Sequence, residues 1–142
     1  MTKDVLISIS GLQFEINEDE AIEVISVGDY HYRNEKHYIL YEDVVPDENG
    51  KDELTKNMIK VGNNIVEITK KGANNVHMVF ELGKKNMTLY NTPIGALMIG
   101  LNTTSLVVKE SEEELLINIE YSLDINYSHV SDCAITIKVK NR

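Results

Sequence analysis

Between Leu115 and Tyr127, seven apolar side chains (Leu115, Ile117, Ile119, Tyr121, Leu123, Ile125 and Tyr127) alternate strictly with Leu116, Asn118, Glu120, Ser122, Asp124 and Asn126. Alternation of this kind matches an extended chain with one buried and one wet face, and no helix can use it. The same period recurs in Cys133, Ile135, Ile137 and Val139, set against Ala134, Thr136, Lys138 and Lys140. It recurs again in Val76, Met78, Phe80 and Leu82, set against His77, Val79 and Glu81. Further strands are expected at Val5 to Leu12, Ala21 to Arg33, His37 to Val45, Leu54 to Val61, Ile65 to Lys70, Met87 to Tyr90 and Leu97 to Val108. Turn-forming groups fall between them: Asn34-Glu35, Pro46-Asp47-Glu48-Asn49-Gly50, Gly62-Asn63-Asn64, Gly72-Ala73-Asn74-Asn75 and Gly83-Lys84-Lys85-Asn86. Residues 51–59 come nearest to a helical period, and one helical turn there would leave the class all-β.

About ten antiparallel strands in one chain have edges to hide, which a closed barrel does fully and a two-sheet sandwich does in part. Short loops between successive strands favour an up-and-down order. The expectation is a single all-β domain spanning residues 1–142, an antiparallel barrel of about 8–10 strands. With 14 Lys plus Arg against 23 Asp plus Glu, the net charge is −9. Such a balance repels phosphate backbones and anionic lipid, so neither nucleic acid nor a membrane is an expected partner. Cys133 is the only cysteine, which excludes an internal disulfide and a thiolate zinc cluster. The opening residues lack the apolar run and cleavage site of a signal peptide, and no window is long and apolar enough to span a bilayer. A cytoplasmic protein is expected.

The tyrosines carry the most chemistry. Tyr30 and Tyr32 end one strand, and Tyr38 and Tyr41 lie on the next, across a tight turn. Phenol rings gathered on one hairpin offer apolar faces and hydroxyls that orient a ligand, although aromatic residues also favour strands for packing alone. Register decides which of them meet. A two-residue loop puts Tyr30, Tyr32 and Tyr41 on one face, whereas a three-residue loop joins Tyr30 and Tyr32 to Tyr38. Asp29, Glu35 and Glu42 are the carboxylates nearby, and Glu42, beside Tyr41, is the one that could sit among the tyrosines. His31 and His37 flank the same turn, but the two-residue register places them on opposite faces. Without an HxH or HExxH spacing they are expected to be solvated, with no metal site and no cofactor. Cys133 shares its phase with Ile135, Ile137 and Val139 and is expected to pack as a small hydrophobe. No Ser or Thr sits in a nucleophile elbow, and the adjacent carboxylates Glu112-Glu113-Glu114 point alternately to opposite faces of any strand. Gly95 and Gly100 fit a strand corner better than a phosphate loop. Lys56, Lys60, Lys70, Lys71, Lys84 and Lys85 collect in the middle hairpins, as either an anion-binding face or edge protection.

Gly28-x-Tyr30, Tyr38-Ile39-Leu40-Tyr41-Glu42, Lys71-Gly72, Tyr90-x-Thr92-Pro93-x-Gly95 and a closing long strand with Tyr121 together resemble the YwiB-like family of small bacterial proteins. The resemblance extends over essentially the whole chain through the order and spacing of these short motifs. It implies a calycin-type (lipocalin-like) β-barrel and a cytoplasmic setting, and it brings no catalytic residues. The expected function is a binding module that holds a small, partly apolar ligand in the barrel interior or mouth. Tyr30, Tyr32, Tyr38, Tyr41 and Glu42 are the candidate ligand residues. The alternative is a protein-interaction or assembly module, including a homodimer, that uses an exposed sheet face. An enzyme is the weakest reading, because no base, nucleophile or metal set falls on one face.

Overall fold

Ten strands carry the alternation into three dimensions: β1 (Asp4–Ser10), β2 (Val24–Arg33), β3 (Lys36–Pro46), β4 (Asp52–Gly62), β5 (Ile65–Lys71), β6 (Val76–Glu81), β7 (Lys85–Thr92), β8 (Gly95–Glu110), β9 (Glu114–Ile125) and β10 (Ser128–Asn141). The computed structural model describes residues 1–11, 24–46, 49–72, 75–92 and 95–142. The strand expected through Leu12, the start expected at residues 21–23 and the corner expected at Pro93 lie outside the described residues. Among the described residues there is no helix, and none therefore long and apolar enough to cross a membrane.

All ten strands belong to one antiparallel sheet in the order β6-β5-β4-β3-β2-β1-β10-β9-β8-β7. Every sequential pair is a neighbour except β6 and β7, and the first and last strands pair with each other, from Val5 opposite Asn141 to Ser10 opposite Thr136. This is an up-and-down calycin-like barrel, nearly closed, with a seam between β6 and β7. The turn joining those two strands shuts the lower part of the seam. Gly83 N–H donates to Thr103 O (3.0 Å) and Thr103 N–H donates to Lys84 O (3.2 Å), so the turn lies on β8.

A bulge lies beside that contact. On β8, Thr103 faces Tyr121 and Ser105 faces Glu120, leaving Thr104 as the extra residue. Leu101 and Thr103 point inward before it, whereas Leu106 and Val108 pack on the core after it. An inserted residue shifts the period-two phase by one and sharpens the local twist.

The inner face is a stack of apolar rungs. Ile7, Ile39, Ile59, Ile68, Phe80, Ile117 and Ile137 are fully buried, each from a different strand. Burying such a side chain contributes roughly 1.5–3 kcal/mol. Phe80 meets Tyr121 edge-on at 4.9 Å. Residues 51–59 are not helical. They lie largely within β4, where Thr55, Asn57, Ile59 and Val61 are buried and the residues between them face out. The Leu54–Met58–Val61 spacing suits a helix face, but pairing with both β3 and β5 satisfies this backbone laterally. The last residue of the long alternation also departs from it. Tyr127 is 78 % exposed, because Asn126 and Tyr127 form the β9–β10 turn with φ of 49° and 69°. Two consecutive positive-φ residues are what a tight hairpin requires there.

Candidate ligand-binding site

The β2–β3 hairpin organises the lower rim. Its turn residues Asn34 and Glu35 have φ of 53° and 62°, the signature of a two-residue type I′ turn. The ladder then pairs Tyr32 with His37, His31 with Tyr38, Tyr30 with Ile39, and Gly28 with Tyr41. Tyr30, Tyr32 and Tyr41 therefore share the inner phase, while Tyr38 and Glu42 stand on the outer wall. Tyr30 and Tyr41 are buried, and Tyr32 at the rim is 57 % exposed. Gly28 lets β2 and β3 approach at this level: a Cβ there would lie 2.4 Å from Leu40 O.

His31 and His37 fall on opposite faces, and only one of them is solvated. His37 is buried at 7 % exposure, which corrects the expectation of two wet histidines: the I′ register that sends His31 outward sends His37 in. The Tyr30 hydroxyl lies 2.6 Å from His37 Nδ1, His37 Nε2 lies 3.5 Å from Glu110 Oε2, and the Tyr32 ring is 4.9 Å from the imidazole. Burial, then Glu110 and Tyr32, push the Tyr30 pKa up, so the phenol keeps its proton in its hydrogen bond with Nδ1. Burial lowers the His37 pKa, with Glu110 opposing in part. The cluster ties β2 and β3 to the end of β8 across the lower opening.

Around the outside of this rim runs a groove of about 660 Å³. Tyr30, Tyr32 and Tyr38 line it together, so the rim unites three of the expected tyrosines that the ladder divides between faces. Leu40 and Met58, cross-strand neighbours on β3 and β4, add an apolar floor. Lys3 is held alongside because its carbonyl accepts the Tyr30 N–H at 2.8 Å. The Arg33 guanidinium stands 4.9 Å from the Tyr38 ring centroid, and Lys60 Nζ stands 5.9 Å from it. Tyr41 and Glu42 contribute to a separate, smaller groove of about 400 Å³, with Val27, Asp29 and Lys56.

The upper inner face carries polar residues that simple alternation conceals. Tyr41, Asn57 and Lys70 lie in one lateral row on β3, β4 and β5, and Asp43 and Thr55 stand in the next. Asn57 Nδ2 donates to Asp43 Oδ1 at 2.9 Å, and Lys70 Nζ lies 3.9 Å from Asp43 Oδ2. Asn57 Oδ1 is buried without a hydrogen-bond partner. Burial lowers the Lys70 pKa against the pull of Asp43, and burial followed by Asp43 raises that of Tyr41. The middle-hairpin lysines thus do not form one face. Lys70 points inward, while Lys60, Lys84 and Lys85 pair with Glu67, Glu81 and Asp124. Cys133 is partly buried, with Sγ 3.2 Å from Ser131 Oγ.

Residues 7–137 match the model of a family described as a domain of unknown function, DUF1934. The chain belongs to that family. The crystal structure of the YwiB protein from Bacillus subtilis is similar to it, with a TM-score of 0.77 at 22 % identity, over 99 % of this chain and 92 % of that one. That likeness confirms the barrel expected from the motif order. No curated protein matches the sequence.

Two predictions follow from these clusters. His37 has a lower pKa folded than unfolded, so the folded state binds its proton less readily. Its contribution is complete above about pH 6.5, the ordinary histidine value, and is lost as the pH falls below it. Urea unfolding at pH 7.5 and 5.5 is expected to show a smaller acid loss for His37→Gln than for the native chain. Equal losses would show that His37 is not the group responsible. At the other end, Asp43→Ala removes the acceptor of the buried Asn57 amide and is expected to cost roughly 1–2 kcal/mol. Asp43→Asn, which keeps an acceptor oxygen, is expected to cost less in the same urea series.

Proposed function

We propose that the protein is a binding module for a small, partly apolar ligand, held in the groove on the lower rim of the barrel. The observation that carries this is the convergence of Tyr30, Tyr32 and Tyr38 on a groove of about 660 Å³ floored by Leu40 and Met58. Sites for small molecules typically span about 300–1,000 Å³ and combine apolar walls with a few placed polar groups. The rim suits the role better than the middle of the barrel, where Met78, Phe80, Leu115 and Ile117 are packed into the core. Tyr41 and Glu42, on the neighbouring groove, fall outside this reading.

N-phenyl-1-naphthylamine, an uncharged aromatic dye that brightens in apolar surroundings, tests it. Saturable fluorescence is expected with the native chain. Tyr38→Ala is expected to weaken binding roughly tenfold, the effect of losing about 1.4 kcal/mol of aromatic contact. Tyr38 stands on the outer wall, so the variant should melt like the native protein. A dye that does not bind, or one indifferent to Tyr38→Ala, contradicts the reading.

A second reading rests on the outer wall, and we propose it as the alternative: assembly of two copies through β2–β4. Ile25 is 67 % exposed, Val44 61 % and Leu54 50 %, with Val27 and Leu40 close by on the same side. Val44 and Leu54 are direct cross-strand partners. Apolar side chains gathered in this way mark interaction surfaces. Sedimentation velocity is expected to show a concentration-dependent dimer that Leu54→Asp dissociates. A monomer at every concentration would contradict it.

A further inference from the structure

The rim groove carries a charge pattern at odds with the chain as a whole. The chain has a net charge of −9, yet the described residues lining the groove include Lys3, Arg33 and His31 and no carboxylate. The acids of this wall, Asp29 and Glu42, line the neighbouring groove on the other side of Leu40. Lys60 is shared between the Tyr38 ring and Glu67, 3.6 Å away. Arg33 is different: among the described residues it has no carboxylate partner, and its guanidinium is set over Tyr38 at 4.9 Å. A guanidinium held near a ring by cation–π attraction still has N–H groups to offer a planar, two-oxygen acceptor. The exposed Tyr32 ring and the Leu40–Met58 floor supply contact for a flat body beside that edge.

We propose that the groove selects ligands that join an aromatic or similarly flat apolar body to an anionic group (a carboxylate, phosphate or sulfonate), with Arg33 as the anion's main contact and Lys3 as a supporting charge. This inference rests on the groove being a ligand site and adds the ligand's charge. The flat body lies against Tyr38, Leu40 and Met58, and the anion sits at Arg33, with Lys3 lining the same groove. The general negative charge of the chain repels an anion at long range, so binding depends on these local cations.

Two dyes with nearly the same ring system separate the parts of the idea. 8-Anilinonaphthalene-1-sulfonate carries a sulfonate that N-phenyl-1-naphthylamine lacks. The native chain is expected to bind the sulfonate about fivefold or more tightly than the neutral dye, as one charge-assisted contact would give. Arg33→Gln is expected to remove that preference, the sulfonate dye losing about fivefold more affinity than the neutral dye loses. Lys3→Gln is expected to give a smaller loss in the same direction. Thermal melts of both variants check that the barrel is intact, since the sulfonate dye also brightens on exposed cores. Equal affinity for the two dyes, or a preference that survives Arg33→Gln in a folded variant, overturns the anion assignment while leaving the groove as a site for neutral ligands. Failure of both dyes to bind overturns the groove reading and this inference together.

Discussion

Two consecutive residues in the left-handed region, Asn34 and Glu35, determine what the β2–β3 hairpin presents to the inside and the outside of the barrel. A two-residue turn allows only one ladder: Tyr32 opposite His37, Tyr30 opposite Ile39, Gly28 opposite Tyr41. From that ladder follow the burial of His37, its contact with the Tyr30 hydroxyl and its approach to Glu110. The same ladder puts Tyr38 on the outer wall, where Arg33 and Lys60 reach its ring. A slip of one residue would invert every one of these placements. The rim groove depends on the turn for its composition, even though neither turn residue lines it.

The barrel divides its work along its length. Its middle consists of apolar rungs contributed by every part of the chain, and the β1–β10 pairing joins the two ends of the meander into one wall. Bonded polar clusters stand at the two ends, while Thr103 and the Tyr121 hydroxyl are buried between them. At the lower end the Tyr30–His37–Glu110 cluster bridges strands that are distant in sequence, and at the upper end Asp43, Asn57 and Lys70 occupy inner positions on three adjacent strands. Buried polar groups of this kind are costly unless they are bonded. Their placement just inside the openings lets Asp43 and Lys70 keep partial access to water, with side chains 27 % and 18 % exposed. At the seam, the β6–β7 turn is hydrogen-bonded to Thr103 in the middle of β8, beside the bulge.

Much of this architecture was legible in the sequence, because a period of two survives wherever one face is buried. All ten strands, the up-and-down order and the opposite facing of His31 and His37 follow from alternation and turn residues. What escaped has identifiable causes. Tyr127 continues the apolar rhythm by coincidence, since hairpin geometry claims its backbone. The phase change on β8 comes from a single extra residue, which periodicity alone cannot locate. Residue type points His37 to solvent, although its phase with Ile39 and Tyr41 marks it as inward. Asp43 and Asn57 go unremarked, and Lys70 counts only as one of the middle-hairpin lysines, although each continues the inner phase of Ile39, Ile59 and Ile68 on its own strand. A polar residue at an inward phase is the signal for such a site, and three of them on neighbouring strands compound it. Arg33, Lys3 and Met58 could not be foreseen as groove residues. The groove wraps the rim and combines inner and outer positions that no single face would bring together.

An amide NMR titration of the native chain with 8-anilinonaphthalene-1-sulfonate tests the central claim most directly, because it reports where a ligand settles without altering a residue. The rim reading predicts that the largest shifts fall on Lys3, Arg33, Tyr38, Leu40 and Met58, with the middle rungs nearly unmoved. Largest shifts at Phe80, Ile117 and Ile119 would place the ligand inside the barrel and contradict it.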